Sequence, residues 1–542
     1  MKTKLIYYIL AVLTLGVSSC SSDFLKEYSQ DLARVKSVDD LEELLVGDCF
    51  LPKGYYYLAN SMIYDGNYNY AVLHFMGDEL QEYTRLFNDP SQGNNKYRLA
   101  YFPYFTWQQN TYVDTSGKST LESDENHYWQ LGYTKINNCN MVIDAADQFA
   151  AATEDEQMRL RKVKGEAYFM RAFYYLTLVN LYANPYQPQT AQDTPGIPVK
   201  ISAQVEDKEF QRESVAKVYQ QILDDLTSAE KEFQNTSAPI SIYHSGLEAL
   251  YILRSRVALY MQDWQTAAEY AKKELDTDSY LFDLAALSAN SYPLSKSNKE
   301  VLYSNGSSCF GTIIFPDAKK QSSWRDFSPT WYVSDNLYAL FDDNDNRKLT
   351  YITTEDDVNN HLPTYHKIDI TRSTSSTFKE VSDVFCIRTA EAYLNMAEAK
   401  AQLGEDAEAC SYLNKLRKNR IQGATDIQLS GEELIQFIRE ERERELCFEG
   451  HRWFDLRRYM VDTKYPYSKT IEHTITYYAE DAYGDYSAKR VDRFRLEKND
   501  AAYTLNIPKK VRDFQPSIGN NERPPRTAIQ SAERPDEGSE DE

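Results

Sequence analysis

The sequence predicts a mainly α protein, a stack of antiparallel helix pairs interrupted by long, irregular, loop-rich insertions. Apolar residues recur at helical spacing over most of the chain. In two places such a run ends in a short turn and a second run rich in small residues follows. Pro, Gly, Asn and Tyr collect between the periodic stretches, where turns and loops belong.

The elements follow in chain order. Lys2 and Lys4 precede an apolar run from Leu5 to Gly16, which has the form of a signal peptide. It is shorter than the roughly 20 residues that span a bilayer. Small residues Val17, Ser18 and Ser19 lead to Cys20, the pattern of a lipidation site, so residues 1–19 are expected to be removed and Cys20 to carry the lipid. Helices are predicted over 37–46, 123–149, 155–182, 213–234, 245–261, 264–276, 330–342, 388–403, 406–419, 431–446 and 450–459. The stretches 51–121, 183–210, 277–329 and 460–530 read as irregular. Ser531 to Glu542 is an acidic tail with the composition of a solvated segment. One domain is expected over 20–530, with an N-terminal part to about 240 and a C-terminal part from about 241.

The pairing signal is clearest at Ala249–Tyr260, which turns at Gln262-Asp263 into Trp264, Ala267, Ala268 and Ala271. Ala390, Tyr393, Ala397 and Ala399 likewise turn at Leu403-Gly404-Glu405 into Ala407, Ala409, Leu413 and Leu416. Small residues on facing helices let the axes approach, the logic of a tetratricopeptide-like scaffold. The stretches 128–147 with 155–182, and 214–233 with 245–260, are candidate further pairs.

Composition narrows the function. A net charge of −22 disfavours nucleic acid and anionic lipid surfaces and makes a neutral ligand the simpler expectation. Beyond Cys20, the six cysteines at 49, 139, 309, 386, 410 and 447 form no metal-binding or redox motif and read as buried thiols. Gly117-Lys118-Ser119 ends like a phosphate loop, but Tyr112 stands where its first Gly is needed. Asp342 to Asn346 opens like a calcium loop, but Arg347 and Thr353 replace the turn Gly and the chelating Glu. His361 and His366 flank a proline at loop spacing, and no metal or cofactor is expected. Asp78-Glu79 is the nearest acid pair for a glycoside hydrolase, yet adjacent side chains point apart, and no catalytic residue is assigned.

The C-terminal third carries a dense motif. Ile438-Arg-Glu-Glu-Arg-Glu-Arg-Glu-Leu446 is followed by Phe448-Glu-Gly-His-Arg-Trp-Phe-Asp-Leu-Arg-Arg458, with Arg388-Thr-Ala-Glu-Ala-Tyr upstream. Leu131-Gly-Tyr-Thr-Lys-Ile136 with Asn140, Gly165-Glu-Ala with Phe169 and Arg171, Val218-Tyr219 with Ile222 and Asp225, and Phe341 with Asp345 and Arg347 follow in the same order. Together they resemble the RagB/SusD family over roughly residues 20–525. The motif acids are matched by nearby arginines, which predicts internal ion pairs and not an acid/base pair. The resemblance implies an outer-membrane lipoprotein that binds oligosaccharide and passes it to a SusC-like TonB-dependent transporter. Peptide is the alternative cargo. A surface glycosidase and a pure scaffold are the other readings.

Sugar recognition requires aromatic faces with polar groups beside them. Two loop-borne clusters supply these: Tyr97, Tyr101, Tyr104, Phe105 and Trp107 with Gln109 and Asn110, and Trp324, Arg325 and Phe327. The expected ligand-binding residues are Tyr101, Tyr104, Trp107, Gln109, Asn110, Trp324 and Arg325. Trp331 and Trp453 are expected in the core.

Overall fold

The computed structural model describes residues 35–51, 56–58, 61–63, 70–82, 101–111, 127–234, 236–287, 292–305, 331–354, 363–368, 381–382, 384–480 and 486–533. Its helices are α1 (Val38–Leu44), α2 (Val72–Met76), α3 (His127–Gln148), α4 (Glu154–Tyr182), α5 (Val215–Phe233), α6 (Leu247–Met261), α7 (Trp264–Thr277), α8 (Thr389–Gln402), α9 (Asp406–Lys418), α10 (Gly431–Leu446), α11 (Arg452–Met460) and α12 (Lys509–Phe514), besides shorter turns. The strands used below are β1 (Leu80–Glu82), β2 (Val301–Ser304), β3 (Trp331–Val333), β4 (Cys386–Arg388), β5 (Ile471–Glu480), β6 (Tyr486–Leu496) and β7 (Gln530–Glu533).

Local chemistry starts the long helices where they start. Ser37 and Thr153 form capping boxes with Asp40 and Glu156, satisfying backbone donors that the first turn leaves open. Ser214 and Asp263 cap α5 and α7 in the simpler way. The α6–α7 turn sets Gln262 in the left-handed region at φ 61°, and the Ser255 hydroxyl donates to the Ala267 carbonyl across the pair.

The helices stack in sequence, α3 on α4, α4 on α5, α6 on α7, α7 on α8 and α8 on α9 and α10. The axes come close because two glycines leave room. A Cβ on Gly132 would meet Leu178 at 2.8 Å, and one on Gly165 would meet the Phe233 ring at 2.5 Å. The predicted partner of 214–233 differs from the observed one: α5 packs chiefly on α4 and only secondarily on α6.

Two further expectations are corrected. The predicted helix over 330–342 is strand β3 followed by a four-residue helix at Asp335–Tyr338, because the Ser334 hydroxyl accepts the Leu337 amide and caps a new start at Asp335. The supposedly irregular stretch 460–530 contains the longest strands described, β5 and β6, paired antiparallel from Ile471↔Leu496 to Glu480↔Tyr486 and extended by β7. Small two-stranded pairs link distant segments, β1 with β3 and β2 with β4. Cys49, Cys139, Cys386, Cys410 and Cys447 are buried free thiols as expected, and Cys309 lies outside the described residues. Among the described residues no helix is long and apolar enough to cross a membrane.

Candidate functional site

The motif residues fold inward. On the N-terminal side, Arg171 donates from Nε to Asp225 Oδ2 at 2.9 Å and from a terminal nitrogen to Asn140 Oδ1 at 2.7 Å. One guanidinium therefore ties α4 to α5 and α3, and three separate sequence motifs become one buried contact. Planar paired donors suit Arg to this task.

On the C-terminal side, Glu445 receives Arg388 at 2.6 Å, Arg347 at 3.0 Å and Arg420 at 3.0 Å. Arg388 also holds Glu449 and Glu300, Arg347 holds Glu441 and Asp345, and Lys367 reaches Glu449 at 2.6 Å. Burial alone would raise the Glu445 carboxyl; the guanidiniums of Arg420, Arg388 and Arg347 instead hold it well below the usual range. Glu441 settles at about 2 for the same reason, with Arg347 and Arg444 as its partners. His451 is driven the other way, far below its ordinary value by burial and by the charges of Arg256 and Arg442. It stays neutral near pH 7 and sealed from solvent. Asp345, the calcium-loop candidate, is held by Arg347. Asp78 is forked by Arg452 at 2.7 and 2.8 Å and joined by Lys469, while Glu79 accepts the Phe448 amide. All of these groups hold chain segments together, and the acids face guanidiniums, ammoniums or amides.

Tyr101, Tyr104 and Trp107 are corrected by their placement. They are 4 %, 5 % and 0 % exposed, so no ring offers a face to a ligand. Tyr101 stacks on Phe75 at 4.2 Å, Trp107 on His473 at 4.4 Å, and Trp107 Nε1 donates to the Met76 carbonyl. The imidazole of His473, sandwiched between Phe105 and Trp107, is lowered to about 4 by burial. A tyrosine-rich run reads the same whether its rings face a sugar or one another, and here the 101–107 segment wedges between α2 and β5. Gln109 and Asn110, at its end, are half-buried, and the Gln109 amide nitrogen donates to the Arg523 carbonyl. Trp324, Arg325 and Cys20 lie outside the described residues; of the tail expected from Ser531, residues 531–533 are instead part of strand β7, paired with β6, and 534–542 lie outside the described residues. Trp331 and Trp453 are fully buried, as expected.

The aromatic layer nevertheless positions something the sequence concealed. Glu82 pairs with Trp331, and Tyr101 and Phe105 pack with Phe75 and Trp331. The described ends at 82, 101 and 331, which bound 83–100 and 306–330, therefore meet in one patch. Elsewhere, a groove of about 1010 Å³ runs between α1 and the start of α6, with His244 against Glu166 and Arg159 paired to Glu42.

Stacked helix pairs, locked by buried ions and holding loop ends together, define a helical binding scaffold. Residues 317–523 match the SusD family model, and residues 76–259 match a second described as "Starch-binding associating with outer membrane". SusD-like protein P2 of Formosa agariphila is 25 % identical over 374 residues, 61 % of this chain and 71 % of that one. A SusD superfamily protein from Bacteroides thetaiotaomicron superposes with TM-score 0.65 at 21 % identity, covering 90 % of this chain and 100 % of that one. A SusD-like carbohydrate binding protein from Bacteroides vulgatus gives 0.63 at 21 % identity, over 89 % and 98 %. Both models describe SusD-like proteins, and between them they match most of the chain.

Proposed function

We propose that this protein is a cell-surface lipoprotein, anchored through Cys20, that captures oligosaccharide and delivers it to a SusC-like TonB-dependent transporter. Its capture surface is assigned to residues 83–100 and 306–330, whose described neighbours 82, 101 and 331 meet in one patch, with Trp324 as the stacking ring and Arg325, Gln109 and Asn110 as polar partners. The match of residues 76–259 to a model described as starch-binding and associating with the outer membrane is the observation that carries this reading. The carbohydrate-binding description of the B. vulgatus relative supports it. A lipid tether raises the effective concentration at the partner, so moderate affinity suffices. Binding without hydrolysis is the expected chemistry, because the acids nearest to a glycosidase pair, Asp78 and Glu79, are engaged by Arg452, Lys469 and the Phe448 amide.

The mature chain should retain particular oligosaccharides on a glycan array and no member of a peptide pool, and leave the bound sugar intact over a timed incubation. Trp324→Ala should weaken binding about tenfold, the worth of one lost stacking contact. Retention of peptides alone would replace the cargo assignment, and release of shorter sugars would replace the binder with a hydrolase.

A further inference from the structure

A second aromatic surface lies on other residues. Two adjoining hollows of about 340 and 400 Å³ share Trp129, Tyr133 and Val511, between the start of α3 and α12. Phe210 and Phe514 complete the apolar wall, and Phe514 is 81 % exposed on its edge. Trp129 and Tyr133 lie 4.9 Å apart, and the Tyr133 hydroxyl is fixed by donating to the Pro198 carbonyl. Gln130 on the same helix and Gln515 across the cleft supply amides, while Asn137 accepts from Lys200 and Asn138 donates to the Asp48 carbonyl. Rigid rings beside amides are the composition of a saccharide subsite, since the rings take C–H faces and the amides take hydroxyls.

The charge in this cleft departs from the rest of the molecule. The chain holds 82 acidic and 60 basic residues, yet neither hollow is lined by a carboxylate, and Lys200 and Lys510 both line the first. On the flanking segments Asp513 is paired with Lys509, Glu206 with Lys208 at 3.0 Å, and Glu209 accepts from the Ser517 hydroxyl. The Lys200 ammonium donates to Asn137 Oδ1 at 3.0 Å and to the Ser202 carbonyl. An ammonium has three donors, so one remains. Burial holds Lys200 below its ordinary value, and the charge of Glu206 offsets only part of that cost.

We propose that this cleft binds an acidic saccharide, with a pyranose ring against the exposed face of Phe514, which the buried Trp129 backs, and its carboxylate or sulfate ester against Lys200 and Lys510. The proposal shares only the broad ligand class with the loop-borne site, and Trp324→Ala leaves these residues untouched, so the two readings fail separately.

The test is calorimetric titration of the full mature chain in detergent with trigalacturonate and, in parallel, with maltotriose. Trigalacturonate should bind, weaken as salt rises, and lose about tenfold in affinity in Phe514→Ala and again in Lys510→Gln. Both positions are exposed, so the folded state is preserved, and circular dichroism of each variant verifies it. No heat with trigalacturonate overturns the proposal, as does equal affinity for maltotriose, or affinity unchanged in both variants. Burial of Phe514 under a co-purified protein, with no saccharide bound, would equally overturn it.

Discussion

Glu445 lies against three guanidiniums in a dry interior, where removing one partner leaves the others uncompensated. Glu445→Gln should therefore cost about 3–5 kcal/mol, read as a lower denaturation midpoint in urea. Glu274 is the opposite case. It is fully buried, neither carboxylate oxygen has a hydrogen-bond partner, and burial with the charge of Glu248 raises it to about 8. The folded state then holds a proton that the unfolded chain has released above about 4.3. Its contribution to stability is complete below that value and is lost as pH climbs towards 8. Glu274→Gln should flatten this fall, with thermal melts at pH 5 and pH 8 as the measurement. Glu441, held at about 2, has the reverse sign, and its contribution drains away only in acid, as pH falls from about 4.3 towards 2.

At the scale of elements, close approach is the fragile feature. Gly165→Val should force the Phe233 ring aside and cost about 1–3 kcal/mol, measured by chemical denaturation, without altering saccharide affinity. Helices of this kind were legible because their apolar spacing and caps are local, and eight of them, from α3 to α10, lie close to where periodicity placed them. The region around Trp331 was misread because a short buried strand and a buried helical turn share one composition. The β5–β6 hairpin went unseen although Ile471, His473 and Ile475 alternate inward, since Glu472, Thr474 and the arginines of β6 dilute the pattern. The first aromatic cluster was legible as a cluster but not as an interior. What buries Trp107 is His473, some hundreds of residues away, and long-range packing leaves no mark on a neighbouring stretch of sequence.

Across the whole molecule, the two halves interlock. Arg457 donates to the Asn180 and Ala183 carbonyls, the Leu505 amide to Leu181, the Thr476 amide to Glu82 and the Leu51 amide to Asn305. Each contact satisfies a buried polar group of one half with a partner from the other, and an unmet one is expensive. A chain ending near residue 240 should accordingly fail to fold, visible as collapsed amide dispersion in its NMR spectrum. The arginines of the motif thus report on assembly of the scaffold.

The three-residue ladder joining Leu80–Glu82 to Trp331–Val333 sets the start of 83–100 beside the end of 306–330. The ladder's own backbone bonds fix residues 82 and 331, so a chimera bearing a relative's 306–330 in place of its own should fold as readily as the parent, read by circular dichroism.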